Sequence, residues 1–279
     1  MLETEKFFAA SAKELEGLPY YEMISKLGLL SFNTQGNRPI ELVAELTNIT
    51  SSNTVLIVGC GSGGTAVLLA EASGATVLGV DIAAGSVRAA FALASKSPAR
   101  GRASFLVGDA HALPFRLGSF DVVVTEYMAF FLRQATFNGF FSALKSGGQV
   151  ALAELMKDPT VDAVADSKIL GAEESYSEVL GYRFHIPLVA EYVDYLGKAG
   201  FVGVCVSERF KEPGFRDKVR NMGGWKNMLR IVWVTLRLMV TSSDLRNKFL
   251  KVGRVKRVLV QNRSTAKYVF QAIVMARKP

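Results

Sequence analysis

Two cysteines, two histidines and two tryptophans in 279 residues leave little room for several kinds of chemistry. Cys60 and Cys205 stand far apart in the chain, which provides neither a disulfide framework nor metal-ligand spacing, and no His/Cys cluster exists to hold zinc. A reducing, cytoplasmic setting and no bound metal are therefore expected. The first thirty residues begin with acids and lack an uninterrupted apolar run, so neither a secretory signal nor an N-terminal anchor is expected. Internal repeats and low-complexity tracts are also missing. What the chain does have is apolar side chain: 49% hydrophobic against 21% charged residues, enough for a full core with some left for a lid or a surface patch.

The most informative stretch is Val55-Leu56-Ile57-Val58-Gly59-Cys60-Gly61-Ser62-Gly63-Gly64-Thr65-Ala66. Its β-branched run reads as a buried parallel strand, its glycines permit a sharp turn, and the helix that follows aims unpaired N–H groups at a ligand. Gly59, Gly61 and Gly64 satisfy the G-x-G-x-x-G spacing, and Asp81 lies 22 residues after Gly59, so a nicotinamide dinucleotide is open at this point. A second strand, Thr76 to Ile82, carries Asp81 at its end, where a carboxylate suits a ribose diol. A third, Ala103 to Gly108, runs into Asp109-Ala110-His111, where a carboxylate followed by a backbone N–H can read the amino edge of an adenine. The fourth, Phe120 to Glu126, opens into Tyr127-Met128-Ala129-Phe130-Phe131.

In order and spacing over residues 55 to 156, these motifs resemble the class I S-adenosylmethionine-dependent methyltransferases, particularly the small-molecule group that includes quinone and sterol methyltransferases. The resemblance implies S-adenosylmethionine as cofactor and S-adenosylhomocysteine as product. Gly59, Cys60, Gly61 and Gly63 would face the methionine part, Asp81 would bind both ribose hydroxyls, and Ile82 would pack on the adenine. Asp109 and the Ala110 N–H would read the adenine edge, and the Glu126 carbonyl would accept from the methionine ammonium. The family usually carries an acid two positions before the first glycine, where this chain has Ile57. A nicotinamide-dependent reductase is disfavoured, since no tyrosine is followed four residues later by lysine, the base pair of short-chain reductases.

Alternating strands and helices point to an α/β, Rossmann-like doubly wound sheet, and the resemblance implies seven strands with the seventh antiparallel. Residues 1–49 read as a helical N-terminal cap, 50–208 and 266–279 as the methyltransferase domain, and 209–265 as a basic, amphipathic helical insertion. Lys157 to Tyr182 reads as a polar stretch, and Tyr268 to Ala276 as the last strand.

The insertion carries the second signal. From Arg209 to Lys267 there are sixteen lysines and arginines against three acids, a balance of +13, while the rest of the chain carries −5. Trp225 to Thr241 places Lys226, Arg230 and Arg237 on one helical face among many apolar residues. Such a helix suits either a lid packed on the domain or an interfacial helix on an anionic membrane, and it is too short and charged to span one. An RNA substrate held by the basic insertion is an alternative, disfavoured because the fourth strand ends in Thr-Glu-Tyr-Met and no RNA-binding motif is recognisable. A non-catalytic, membrane-binding protein of methyltransferase fold is the other.

The acceptor is expected to be small and largely apolar, a lipid or quinone precursor, with Tyr20, Tyr21, Arg38, Tyr127, Phe130 and Trp225 as candidate contacts. Methyl transfer by in-line displacement asks chiefly for positioning and exclusion of water. An acceptor that sheds a proton needs a base, for which His111, Tyr127, His185 and Glu126 are candidates.

Overall fold

The computed structural model describes residues 11–18, 20, 22–23, 35–207, 209–210, 213–221 and 224–279. The chain forms two compact units: a sheet unit of Asn37–Pro159, Pro187–Phe210 and Gln271–Pro279, and a helical unit of Met1–Gly36, Thr160–Ile186 and Lys211–Phe270. Its strands are β1 (Thr54–Val58), β2 (Thr76–Asp81), β3 (Ala103–Val107), β4 (Phe120–Glu126), β5 (Leu144–Lys157), β6 (Val202–Val206) and β7 (Val269–Arg277). The longer helices are α1 (Arg38–Thr47), α2 (Gly64–Ser73), α3 (Ala84–Ser95), α4 (Thr136–Ala143), α5 (Ala163–Leu180), α6 (Val189–Lys198), α7 (Phe215–Asn221), α8 (Gly224–Thr241) and α9 (Ser243–Lys256).

The strands form one sheet in the order β3-β2-β1-β4-β5-β7-β6. β1 pairs in parallel with β2 and β4, Val55 standing opposite Val77 on one side and Val122 on the other. β6 and β7 are antiparallel, with Cys205 opposite Met275. This is the expected doubly wound sheet with its reversed last strand. Continuous apolar runs such as Val55 to Val58 suit strands covered on both faces, and all four of these side chains are buried. Strand order reverses between β1 and β4, and in open α/β sheets the carboxyl ends at such a reversal form the ligand crevice. Gly59 follows β1 there, and Glu126 ends β4.

The core of the sheet unit joins Ile40 and Val43 of α1 to Ile57, Val77, Val124, Ala151 and Ile273. Arg38–Thr47 thus groups with the sheet, whereas residues 160–186 group with the basic segment. Within the expected polar stretch lies α5, begun by Asp162, whose side chain accepts from the Ala165 N–H, and ended by Gly181 at φ +78°. Ala165, Ile169, Ala172, Tyr176 and Leu180 are its buried stripe. Two of these five are alanines, so the stripe is faint among the surrounding charges. In the helical unit α9 packs against α5 and α8. Among the described residues no helix is long and apolar enough to cross a membrane.

Candidate active site

The turn after β1 depends on glycine for two separate reasons. Gly59, Gly61 and Gly63 all take left-handed backbone, at φ +73°, +53° and +87°. A Cβ at Gly59 would lie 2.5 Å from Met128 Cγ, and one at Gly63 would lie 2.8 Å from the Ala90 Cβ of α3. A Cβ at Gly61 would meet nothing within 4 Å. The protein's own packing therefore demands the outer two, while Gly61 turns bare backbone to open space, where a ligand can approach. The N–H groups of Gly59 and Cys60 donate to Val80 O at 2.8 and 2.9 Å, stitching the turn to β2. The Cys60 side chain is buried, and burial, helped by the Asp81 charge, pushes its thiol up, which leaves it inert.

Asp81 is held from both sides. Its Oδ2 accepts from the Gly61 N–H and its Oδ1 from the Ala83 N–H, each at 2.8 Å. Burial nevertheless pushes the carboxyl above the usual range, against those two bonds. Each oxygen retains acceptor capacity beyond the bond it makes, so the group is oriented yet still able to receive two hydroxyls. Beside it Ile82 is 56% exposed, an apolar surface at the edge of the crevice. Asp109 starts the single turn Ala110–Ala112, its Oδ1 accepting from the His111 N–H at 2.9 Å and facing His111 Nδ1 at 3.0 Å. The backbone N–H, then the ring, hold the Asp109 carboxyl below the usual range. Ala110 is buried behind it.

The end of β4 is tied to several neighbouring elements. The Glu126 carboxylate accepts from the hydroxyl of Thr65, in the first turn of α2. Ile57 is buried in the core, so here the acid next to the glycine turn comes from β4, not β1. Tyr127 sits at φ +50°, a left-handed conformation costly for a side chain of its size. Its N–H donates to Ala153 O at 3.2 Å and its hydroxyl to Gln271 Oε1 at 2.9 Å. Gln271 is buried on β7, and its Nε2 has no hydrogen-bond partner among the described residues. Phe130 is buried against Phe131, ring centroids 4.6 Å apart, with Tyr127 at 6.4 Å.

One carboxylate of this region escapes sequence reasoning. Glu154 of β5 is fully buried, with the Met128 N–H donating to both of its oxygens at 3.0 and 2.9 Å and the Thr125 hydroxyl to Oε1 at 2.7 Å. Burial pushes its carboxyl up to about 7 in spite of those donors, and the neighbouring Glu126 charge adds to the rise. The available signal was one acid inside the apolar run Val150-Ala151-Leu152-Ala153-Glu154-Leu155-Met156.

The remaining candidates fall elsewhere. His185 belongs to the helical unit, where its Nδ1 meets Glu173 Oε2 at 2.9 Å beside an open depression of about 530 Å³. Glu173 is buried and also accepts from the Ile186 N–H at 3.0 Å. Tyr20 is a core residue of the helical unit, edge-on to Tyr176 at 6.0 Å. Arg38 opens α1 and pairs on the surface with Glu45 at 3.1 Å. Trp225 is exposed on α8, its ring 5.6 Å from Phe215. Tyr21 lies outside the described residues. Among the described residues no group of three or more His, Cys, Asp or Glu side chains is arranged to hold a metal.

A family model described as a methyltransferase domain matches residues 55–148. The chain is 28% identical over 195 residues to phosphoethanolamine N-methyltransferase 1 of Arabidopsis thaliana, covering 69% of this chain and 37% of that enzyme. It is 30% identical over 199 residues to nocamycin O-methyltransferase of Saccharothrix syringae, covering 64% of this chain and 70% of that one. The solved structure of phosphoethanolamine N-methyltransferase 2 of Haemonchus contortus with S-adenosyl-L-methionine shares the fold, with a TM-score of 0.64 at 19% identity, over 100% of this chain and 60% of that one. The chain thus spans little more than a third of the length of the Arabidopsis relative. With its glycine turn, its anchored strand-end carboxylate and these relatives, the chain belongs to the class I S-adenosylmethionine-dependent methyltransferases.

Proposed function

We propose that the protein is an enzyme that methylates a small, largely apolar acceptor of the lipid or quinone-precursor kind, with S-adenosylmethionine as donor. One observation carries the cofactor half: the Asp81 carboxylate is fixed by the N–H groups of Gly61 and Ala83, between the open face of Gly61 and the exposed Ile82. When bound, the cofactor supplies an electrophilic methyl group on a sulfonium. In this reading Asp81 accepts from the ribose diol, Ile82 covers one adenine face, and Asp109 with the Ala110 N–H reads the adenine edge. Glu126 takes over the ammonium contact that the acid missing at Ile57 makes in relatives; its hydrogen bond from Thr65 supports this, since it draws the carboxylate to the start of α2.

Tyr127 and Phe130 then shape the acceptor side and exclude water. The Tyr127 hydroxyl donates its hydrogen bond to Gln271 Oε1, so its oxygen keeps acceptor capacity toward an amine or hydroxyl. Among the candidate bases, His111 is engaged with Asp109 and Glu126 with Thr65. An amine that arrives unprotonated needs only correct placement to attack. A phospho-base, as the name of the Arabidopsis relative indicates for that enzyme, is the polar competitor to the apolar acceptor. Cytoplasmic placement with peripheral contact to an anionic membrane belongs to the same reading.

Thermal unfolding with S-adenosylmethionine, S-adenosylhomocysteine, NADH and NADPH tests the cofactor directly. At about a hundred times its dissociation constant, a ligand stabilises by ~2.7 kcal/mol. A rise in Tm with the two sulfur compounds alone is expected, and opens an acceptor screen across quinones, phenols, lipid amines and phosphoethanolamine. A rise with no compound favours the non-catalytic alternative, and a rise with a nicotinamide alone overturns the assignment.

A further inference from the structure

The helix α8 is apolar on two opposite sides. Val234 and Leu238 are buried and face the packing of the helical unit. Trp225, Leu229, Val232, Trp233, Leu236 and Val240 are all exposed, Trp233 at 60% and Val240 at 81%. At 3.6 residues per turn these six make a single stripe along the outer side, opposite Val234 and Leu238. Lys226, Arg230 and Arg237 follow one border of the stripe, and the Arg237 guanidinium lies 5.3 Å from the centre of the Trp233 ring. The exposed Phe215 of α7 extends the apolar surface through its contact with Trp225, with the exposed Arg216 beside it. Asp217 pairs with Arg220 and Asp244 with Lys248, which leaves the charge of this surface strongly positive.

A lid packed on its own protein needs one apolar face, and α8 has that face in Val234 and Leu238. The outer stripe is a second one. We propose that it is a membrane-docking surface, lying in the plane of an anionic lipid bilayer with the six apolar side chains in the acyl boundary and the basic row at the headgroups. Three features fit this occupant. The positive charge complements anionic headgroups, a stripe that carries two tryptophans suits the interfacial layer, and a charged border beside an apolar face is the pattern of an interfacial helix. This deepens the peripheral half of the proposed function and is measured without cofactor or acceptor, so it fails separately from the methyl-transfer half.

Both tryptophans of the chain lie on the stripe, so intrinsic fluorescence reports its environment without a label. The full chain is mixed with vesicles of phosphatidylcholine alone and of phosphatidylcholine with phosphatidylglycerol, at low and high salt, with co-sedimentation alongside. The expected result is binding to the anionic vesicles, a blue shift of the emission, and weakening by salt. Leu229→Asp with Leu236→Asp should weaken binding at least about tenfold without lowering Tm, since both side chains are exposed. Replacing Lys226, Arg230 and Arg237 together by Gln should weaken it by about two orders of magnitude at low salt. Absence of vesicle binding overturns the proposal, as does binding that survives Leu229→Asp with Leu236→Asp. Self-association removed by those substitutions, without vesicle binding, reassigns the stripe to a second copy of the chain; retention on RNA in place of vesicles reassigns the charge to nucleic acid.

Discussion

Two strands of the sheet unit and one helix of the helical unit place their apolar residues in opposite ways. In the sheet unit the long runs of β1 and β4 go inward, and the polar groups among them include held pairs, Thr125 with Glu154 and the Gly61 N–H with Asp81. In the helical unit α8 turns six large apolar side chains outward and buries Val234 and Leu238. A chain rich in hydrophobic residues therefore need not have a larger core. Side-chain period decides which residues are buried, and an apolar residue out of phase with the buried stripe is left for a partner.

The sharpest way to break this contrast lies within α8. Leu238→Ala removes a buried side chain and should cost about 3–4 kcal/mol, whereas Trp233→Ala, though it deletes more atoms, should change stability by no more than about 0.5 kcal/mol. Denaturant unfolding of the two variants checks this. If Trp233→Ala were the more damaging, the outer stripe would be core and its assignment as a docking face would be lost.

In the sheet unit the same logic separates neighbouring glycines. Gly63→Ala places a Cβ against Ala90 in left-handed backbone and should lower stability by about 3 kcal/mol. Gly61→Ala meets open space and should cost about 1 kcal/mol of backbone strain, while sharply weakening S-adenosylhomocysteine binding. Asp81→Ala should reduce that affinity about a hundredfold by removing a charged acceptor. Calorimetric titration measures both. Unchanged affinity in either variant would separate the glycine turn from the cofactor.

How far the sequence reveals all this follows from where each signal lies. The positions of the strands and the glycine turn are legible because they rest on local rules, β-branched runs and turns that admit only glycine, whereas the reversed last strand is implied by the family resemblance. The partners of Asp81 and Asp109 are also local, two residues on in each case, apart from the reach back to Gly61. The contacts that complete the end of β4 are not. Glu126 meets Thr65 across 61 residues, Tyr127 meets Gln271 across 144, and Glu154 reaches Met128 across 26. No spacing rule joins such pairs, because sheet order and register bring them together. The stripe of α5 was hidden for another reason: alanines mark a buried helical face weakly.

Glu154 offers the finest test of the contrast, since it asks whether a charge can be kept inside the sheet unit. Its carboxyl is pushed from the ordinary 4.5 up to about 7 by burial, so across that interval the folded chain binds more protons than the unfolded one. Stability must then fall as pH rises through the window, the opposite of the behaviour of Asp109 and Asp121, whose carboxyls are held below the usual range. From about pH 5.5 to 8 the loss attributable to Glu154 should be about 2 kcal/mol. Asp81 is raised in the same direction, so the quantity to measure is the Tm difference between the wild type and Glu154→Gln, which is neutral at every pH. The difference should move steadily in favour of the variant as pH rises. Parallel curves would mean that Glu154 stays charged throughout, and that the N–H of Met128 and the hydroxyl of Thr125 outweigh its burial.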